Sequence, residues 1–166
     1  MYYMSKEMYN RCMKPNYFII PIITFIVSMV ENWITSGGLQ WYRLSIVEPG
    51  WTPTGPTIGL IWTMIYICAT ISALIAYNKV KPEDRLMISG LFLFNAVLSI
   101  GWILMYSGGQ MTGLAVIESI MLCLSVVWLM WKIWPVSRTG SVLLAPYFAW
   151  GVFFVYLDYV IWILNK

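Results

Sequence analysis

The sequence predicts an all-α integral membrane protein, a bundle of five transmembrane helices, and three observations carry that prediction. Sixty per cent of the 166 residues are hydrophobic and ten per cent are charged, where a soluble domain carries about a quarter charged residues. Mean hydropathy is +0.74. Five apolar runs each approach the about 20 residues that cross a hydrocarbon core as a helix. Runs such as Leu91-Phe92-Leu93-Phe94 do not alternate as barrel strands would. Helices also pair every backbone N–H and C=O internally, which lipid demands.

The elements follow in order. Residues 1–16 form a basic tail with Tyr2, Tyr3 and Tyr9 among Lys6, Arg11 and Lys14. Termini of this kind are ordinarily poorly ordered, and the tyrosines offer a second reading, contact with an anionic surface. The membrane domain occupies 17–166. Its first span, Tyr17–Ile34, follows basic residues as a signal peptide would. It runs into Glu31-Asn32-Trp33 rather than a small-residue cleavage site, so a retained helix is expected. The first loop then reads Gly37-Gly38-Leu39-Gln40-Trp41-Tyr42 and Glu48-Pro49-Gly50-Trp51-Thr52-Pro53-Thr54-Gly55-Pro56. Three prolines and four glycines argue against a regular helix through it. Trp41, Tyr42 and Trp51 suit either a lid over the bundle mouth or an interfacial aromatic belt. The remaining spans are Ile58–Tyr77, Leu86–Tyr106, Met111–Trp134 and Val142–Leu164, with short links that make neighbours antiparallel.

Charge orients this bundle. The tail, the second loop (Lys79, Lys81, Arg85) and the fourth loop (Lys132, Arg138) carry eight of the ten Lys and Arg residues. The opposite face has Arg43 and Lys166. The positive-inside rule then puts the N-terminus inside and the C-terminus outside. Composition also excludes several chemistries. Histidine is absent, which removes the usual general base and the commonest metal ligand. Cys12, Cys68 and Cys123 have no paired spacing, so neither a zinc site nor a disulfide framework is expected. No glycine-rich phosphate loop follows a strand. Basic residues flank spans rather than line a groove, so no nucleic acid partner is expected.

Acidic and aromatic residues inside spans are the candidate site. A carboxylate at mid-bilayer costs about 2.5–3.5 kcal/mol, so such residues face a cavity or a partner. Glu118 and Asp158 fit both pocket lining and inter-helix hydrogen bonding, while Glu31 is read as near enough to a helix end to reach headgroup water. At about 1.5 Å per residue, Trp62, Tyr66, Trp102, Glu118 and Asp158 fall in the outer halves of their helices, with Trp150 nearer mid-depth. Trp62 and Tyr66 share a helix face, as do Trp150, Phe154 and Asp158. Helical spacing by itself favours aromatics that merely fill the core. Trp131, Trp134 and Trp162 are read as interface residues.

Four motifs stand in register: Trp41-Tyr42 with Pro49-Gly50-Trp51-Thr52-Pro53; Ile61-Trp62-Thr63-Met64-Ile65-Tyr66; Gln110-Met111 with Ala115-Val116-Ile117-Glu118; and Leu143-Leu144-Ala145-Pro146-Tyr147-Phe148-Ala149-Trp150 with Phe153, Tyr156-Leu157 and Asn165. Together they resemble the translocator protein family, also called the tryptophan-rich sensory protein or peripheral benzodiazepine receptor family. The resemblance spans residues 37 to 165. The chain departs from the family pattern as well. The Trp-Tyr to Pro spacing is one residue longer, Glu48 stands for Lys, and Thr54 stands for Pro. Ser99 precedes Trp102 where Asn is usual, with Asn95 one turn earlier. Asp158 replaces Asn, and Phe154 fills a place commonly held by Ala.

The resemblance implies a receptor- or sensor-like protein that binds tetrapyrroles such as protoporphyrin and haem, with sterol or other lipid ranked below. It also implies light- and oxygen-dependent porphyrin degradation in some members, with Trp62 and Trp150 as the candidate catalytic residues. The excited macrocycle would drive that chemistry, so no cofactor is required. Expected ligand-binding residues are Trp41, Tyr42, Trp51, Trp62, Tyr66, Asn95, Ser99, Trp102, Glu118, Tyr147, Trp150, Phe154 and Asp158. A homodimer is implied too. Without His, haem as a fixed group would need Cys, Met or Tyr ligation. The sterol pattern of Leu157, Tyr159 and a basic residue misses by one position, because six residues separate Tyr159 from Lys166. A non-catalytic transporter or regulator is the alternative function, and a structural membrane subunit is the third class.

Overall fold

A computed structural model describes residues 15–166; the expected tail lies outside them apart from Pro15 and Asn16. The described chain is helical throughout its spans. Helix α1 covers Asn16–Ser45, α2 Gly55–Lys79, α3 Arg85–Ile103 and α4 Thr112–Ile133. A short α5, Arg138–Val142, leads into α6, Ala145–Leu164. Among the described residues, five helical segments are long and apolar enough to cross a membrane. The 25 residues of α2 give about 37 Å at about 1.5 Å per residue, enough for a hydrocarbon core of about 30 Å. With no water in that core, hydroxyls turn onto their own helix: Thr24 donates to the Ile20 carbonyl, Thr35 to Glu31 and Thr70 to Tyr66.

The first helix corrects the sequence reading. The stretch Gly37–Tyr42, expected as loop, continues α1 for three more turns to Ser45. Glycine inside a helix costs about 1 kcal/mol against alanine, and here tertiary packing offsets it. A Cβ on Gly38 would stand 2.6 Å from the Ser107 carbonyl oxygen. Hydrogen on that Cα is what lets α1 approach the turn after α3. That turn, Leu104–Gly108, is a π-helical widening, followed by Gln110 at φ 57° before α4 starts. The loop proper is therefore Ile46–Thr54.

Two ends of the bundle are tied separately. At one, Val47 donates its N–H to the Asn165 side chain (2.8 Å), which donates back to the Val47 carbonyl (2.9 Å). This end gathers the first loop, the π turn and the C-terminus. At the other, Ser72 donates to the Gly140 carbonyl and Lys79 reaches Ser137. The most extensive pairing is α4 with α6, then α3 with α4. Helix α1 is peripheral, and of its residues only Asn16 and Gly38 are buried.

Candidate functional site

Between the first loop and mid-bundle runs a connected set of aromatic rings. Helical spacing creates it: Trp62 and Tyr66 on α2, Trp102 and Tyr106 on α3 and its π turn, and Trp150 and Phe154 on α6 are each four apart. Trp102 stacks on Tyr106 at 5.6 Å, and Trp41 and Tyr42 of α1 meet the same tyrosine at 6.1 Å. Phe154 is the hub. Its ring lies 5.2 Å from Trp150, 5.5 Å from Trp102, 5.9 Å from Trp62 and 6.0 Å from Phe153. Edge and tilted contacts dominate, the arrangement that ring quadrupoles favour.

The rings leave little space. A cavity of about 10 Å³ remains, walled by Trp62, Trp102, Tyr147 and Phe154 with Ser119 and Leu122 of α4. That is about one water's worth, whereas drug-sized ligands occupy about 300–1,000 Å³. Phe154, only 8% exposed, fills what a smaller residue would leave open.

The loop folds over α6 beside this slot. Trp51 stacks on Tyr156 at 5.6 Å and meets Phe153 edge-on at 5.9 Å. Tyr42 donates its hydroxyl to Glu48 at 2.6 Å. Thr52 N–H closes a turn onto the Pro49 carbonyl. Trp51 thus belongs to the loop, while Trp41 and Tyr42 act from the rigid helix α1, contrary to their expected place in the loop.

The polar candidates separate into three places. Asp158, 1% exposed, accepts a hydrogen bond from the Trp102 indole N–H at 2.8 Å, which joins α6 to α3 beside the rings. Asn95 donates to Ser125 at 2.7 Å, an α3–α4 tie. Glu118 is turned to the α3–α4 seam, where its Oε1 would lie 3.0 Å from a Cβ on Gly101. Its neighbour Ser119 faces the cavity instead, so Glu118 is not brought together with the ring cluster. The Trp150 indole nitrogen is buried with no hydrogen-bond partner among the described residues.

Two residues escaped the sequence reading. Tyr106 links α1 to the cluster, and its signal was only its spacing from Trp102. Glu31, read as near a helix end, is the sixteenth of the 30 residues of the lengthened α1 and accepts a hydrogen bond from the Tyr66 hydroxyl. Ser99 lies beside the same carboxylate.

Comparison with known proteins identifies relatives of this chain. The profile of the TspO/MBR family matches residues 5–163. The chain is 27% identical to the tryptophan-rich protein TspO of Bacillus cereus over 155 residues, covering 92% of this chain and 99% of that protein. It is 29% identical to the tryptophan-rich protein TspO of Chlorobaculum tepidum over 140 residues, with 84% and 89% covered. Similarity extends to the human translocator protein, 24% identical over 139 residues, 80% of this chain and 79% of that one.

Proposed function

We propose that this protein, which belongs to the TspO/MBR family, is a membrane receptor or sensor that binds tetrapyrroles between its aromatic side chains. The observation that carries this reading is the set of indole and phenyl rings from α2, α3 and α6 meeting at Phe154. Flat faces of this kind stack on a macrocycle, and the unpartnered Trp150 N–H is a ready donor for a ligand acceptor. The slot is nearly closed, so a macrocycle enters by displacing Phe154 and the loop that carries Trp51. Charge bias supports an N-terminus inside and a C-terminus outside, with ligand arriving on the side of the first loop.

Light- and oxygen-dependent breakdown of bound porphyrin is part of the proposal. The excited macrocycle supplies the energy, and the chain supplies placement and exclusion of water. Trp62 and Trp150, which both contact Phe154, are the groups next to the ligand. A non-catalytic carrier for sterol or other lipid is the second reading, favoured by the near-closed slot, which excludes water but admits any apolar body able to push Phe154 aside.

Titration of the purified protein in detergent with protoporphyrin, read by tryptophan quenching, tests the proposal when followed by illumination in air. Saturable binding with loss of porphyrin absorbance, abolished in Trp62→Phe or Trp150→Phe, is the expected result. Binding without that loss leaves a receptor or carrier. Absence of saturable binding refutes the tetrapyrrole reading.

A further inference from the structure

Two carboxylates lie inside the bundle in different company. Asp158 is bonded to an indole. Glu31 stands mid-helix, about 22 Å from the start of α1 and about 21 Å from its end at about 1.5 Å per residue. Its Oε2 accepts from Tyr66, while its Oε1 is buried with no partner among the described residues. Its hydrogen-bond partner is the Tyr66 hydroxyl on α2, with Ser99 on α3 beside the same carboxylate. Among the described residues the single ion pair is Lys81–Glu83, in the α2–α3 link, so no cation there neutralises Glu31. A carboxylate at such depth is kept where it faces a partner or a cavity, and leaving it unpaired is costly.

Its place relative to the slot gives that partner an identity. The Trp62 ring is 6.0 Å from Tyr66 and 5.9 Å from Tyr147, and Trp62 and Tyr147 both wall the small cavity. Tyr66 is one turn farther from the loop than Trp62. A ligand stacked on Trp62 therefore presents its inner edge to the Glu31–Tyr66 pair.

We infer that Glu31, steadied by Tyr66, is a polar subsite at the deep end of the slot that selects flat apolar ligands bearing an ammonium or N–H donor on their rim. The vacant Oε1 accepts that donor, and a ligand carboxylate pointed inward meets a second carboxyl group with no cation between them. Diacid porphyrins accordingly bind with their carboxylates toward the loop. The inference rests on the aromatic-slot reading above and narrows its ligand class.

Two matched ligand pairs test it on the full-length protein in detergent: aminomethylpyrene against methylpyrene, and the bis(aminoethyl) amide of protoporphyrin against its dimethyl ester. In each pair the amine is expected to bind at least about tenfold tighter, the scale of one charge-assisted hydrogen bond. In Glu31→Gln, which keeps the shape and an acceptor for Tyr66, that ratio should fall to about threefold or less. Tyr66→Phe, which leaves the carboxylate in place, should keep the ratio at or above the wild-type value. A purely structural tie between α1 and α2 would change melting temperature in both variants and leave the ratio untouched. Equal binding of amine and neutral partner, or an unchanged ratio in Glu31→Gln, overturns the inference. Preference within the pyrene pair with no porphyrin binding supports the subsite and removes the tetrapyrrole reading. Porphyrin binding with no amine preference does the reverse.

Discussion

Replacing Phe154 by alanine separates the plug from the pocket, because the two effects it produces have opposite signs. In a soluble core a buried Phe→Ala change costs about 3–5 kcal/mol. Here lipid is as apolar as the core, so the transfer part shrinks and the cavity part remains. At about 24 cal/mol per Å³, the roughly 100 Å³ that the ring vacates corresponds to about 2 kcal/mol. The same contacts, to Trp62, Trp102, Trp150 and Phe153, must be broken when a macrocycle displaces Phe154 in the wild-type chain. Removing the ring beforehand returns that about 2 kcal/mol to binding, about thirtyfold in affinity. Thermal denaturation in detergent and protoporphyrin titration by tryptophan quenching, on the same preparation, read the two quantities. A lowered melting temperature with tighter binding is expected. A lowered melting temperature with unchanged or weaker binding would refute the reasoning, since Phe154 would then be a wall of the site rather than its plug.

Other substitutions test the supports of the site. Asp158→Asn keeps an oxygen for the Trp102 indole and should change stability by less than about 1 kcal/mol, whereas Asp158→Ala strands that buried N–H and should cost about 1–3 kcal/mol; thermal melts of both variants check this. Gly38→Ala gains about 1 kcal/mol of helix propensity but forces a methyl onto the Ser107 backbone, where overpacking costs about 1–3 kcal/mol. A net loss of stability is expected, and a melting temperature above wild type would show that α1 does not need this close approach.

The solvent and the class of fold were legible in the sequence. Composition forces a bilayer, and the bilayer leaves helices of about 20 residues as the economical way to pair every backbone group. Spacing of four put Trp62 with Tyr66 and Trp150 with Phe154 on one side of their helices, and in the structure Trp62, Trp102 and Trp150 contact Phe154 while Asp158 bonds Trp102. Where α1 ends was not legible. Two adjacent glycines and a nearby run of prolines read as loop by local propensity, whereas in the structure the helix continues through both and Gly38 packs against Ser107. That single difference of three turns moved Glu31 from a helix end to mid-helix and put Trp41 and Tyr42 on a rigid element.

Sequence by itself thus determined what each residue contributes chemically and which neighbours on the same helix it faces, since both follow from local geometry. Tertiary structure decided which helices face one another. It turned Glu118 to Gly101 rather than to the rings, gave Asp158 an indole and left the Glu31 Oε1 without a partner among the described residues. It also closed the slot on Phe154, because the space between helices is set by side chains far apart in the chain, a quantity that no local pattern records.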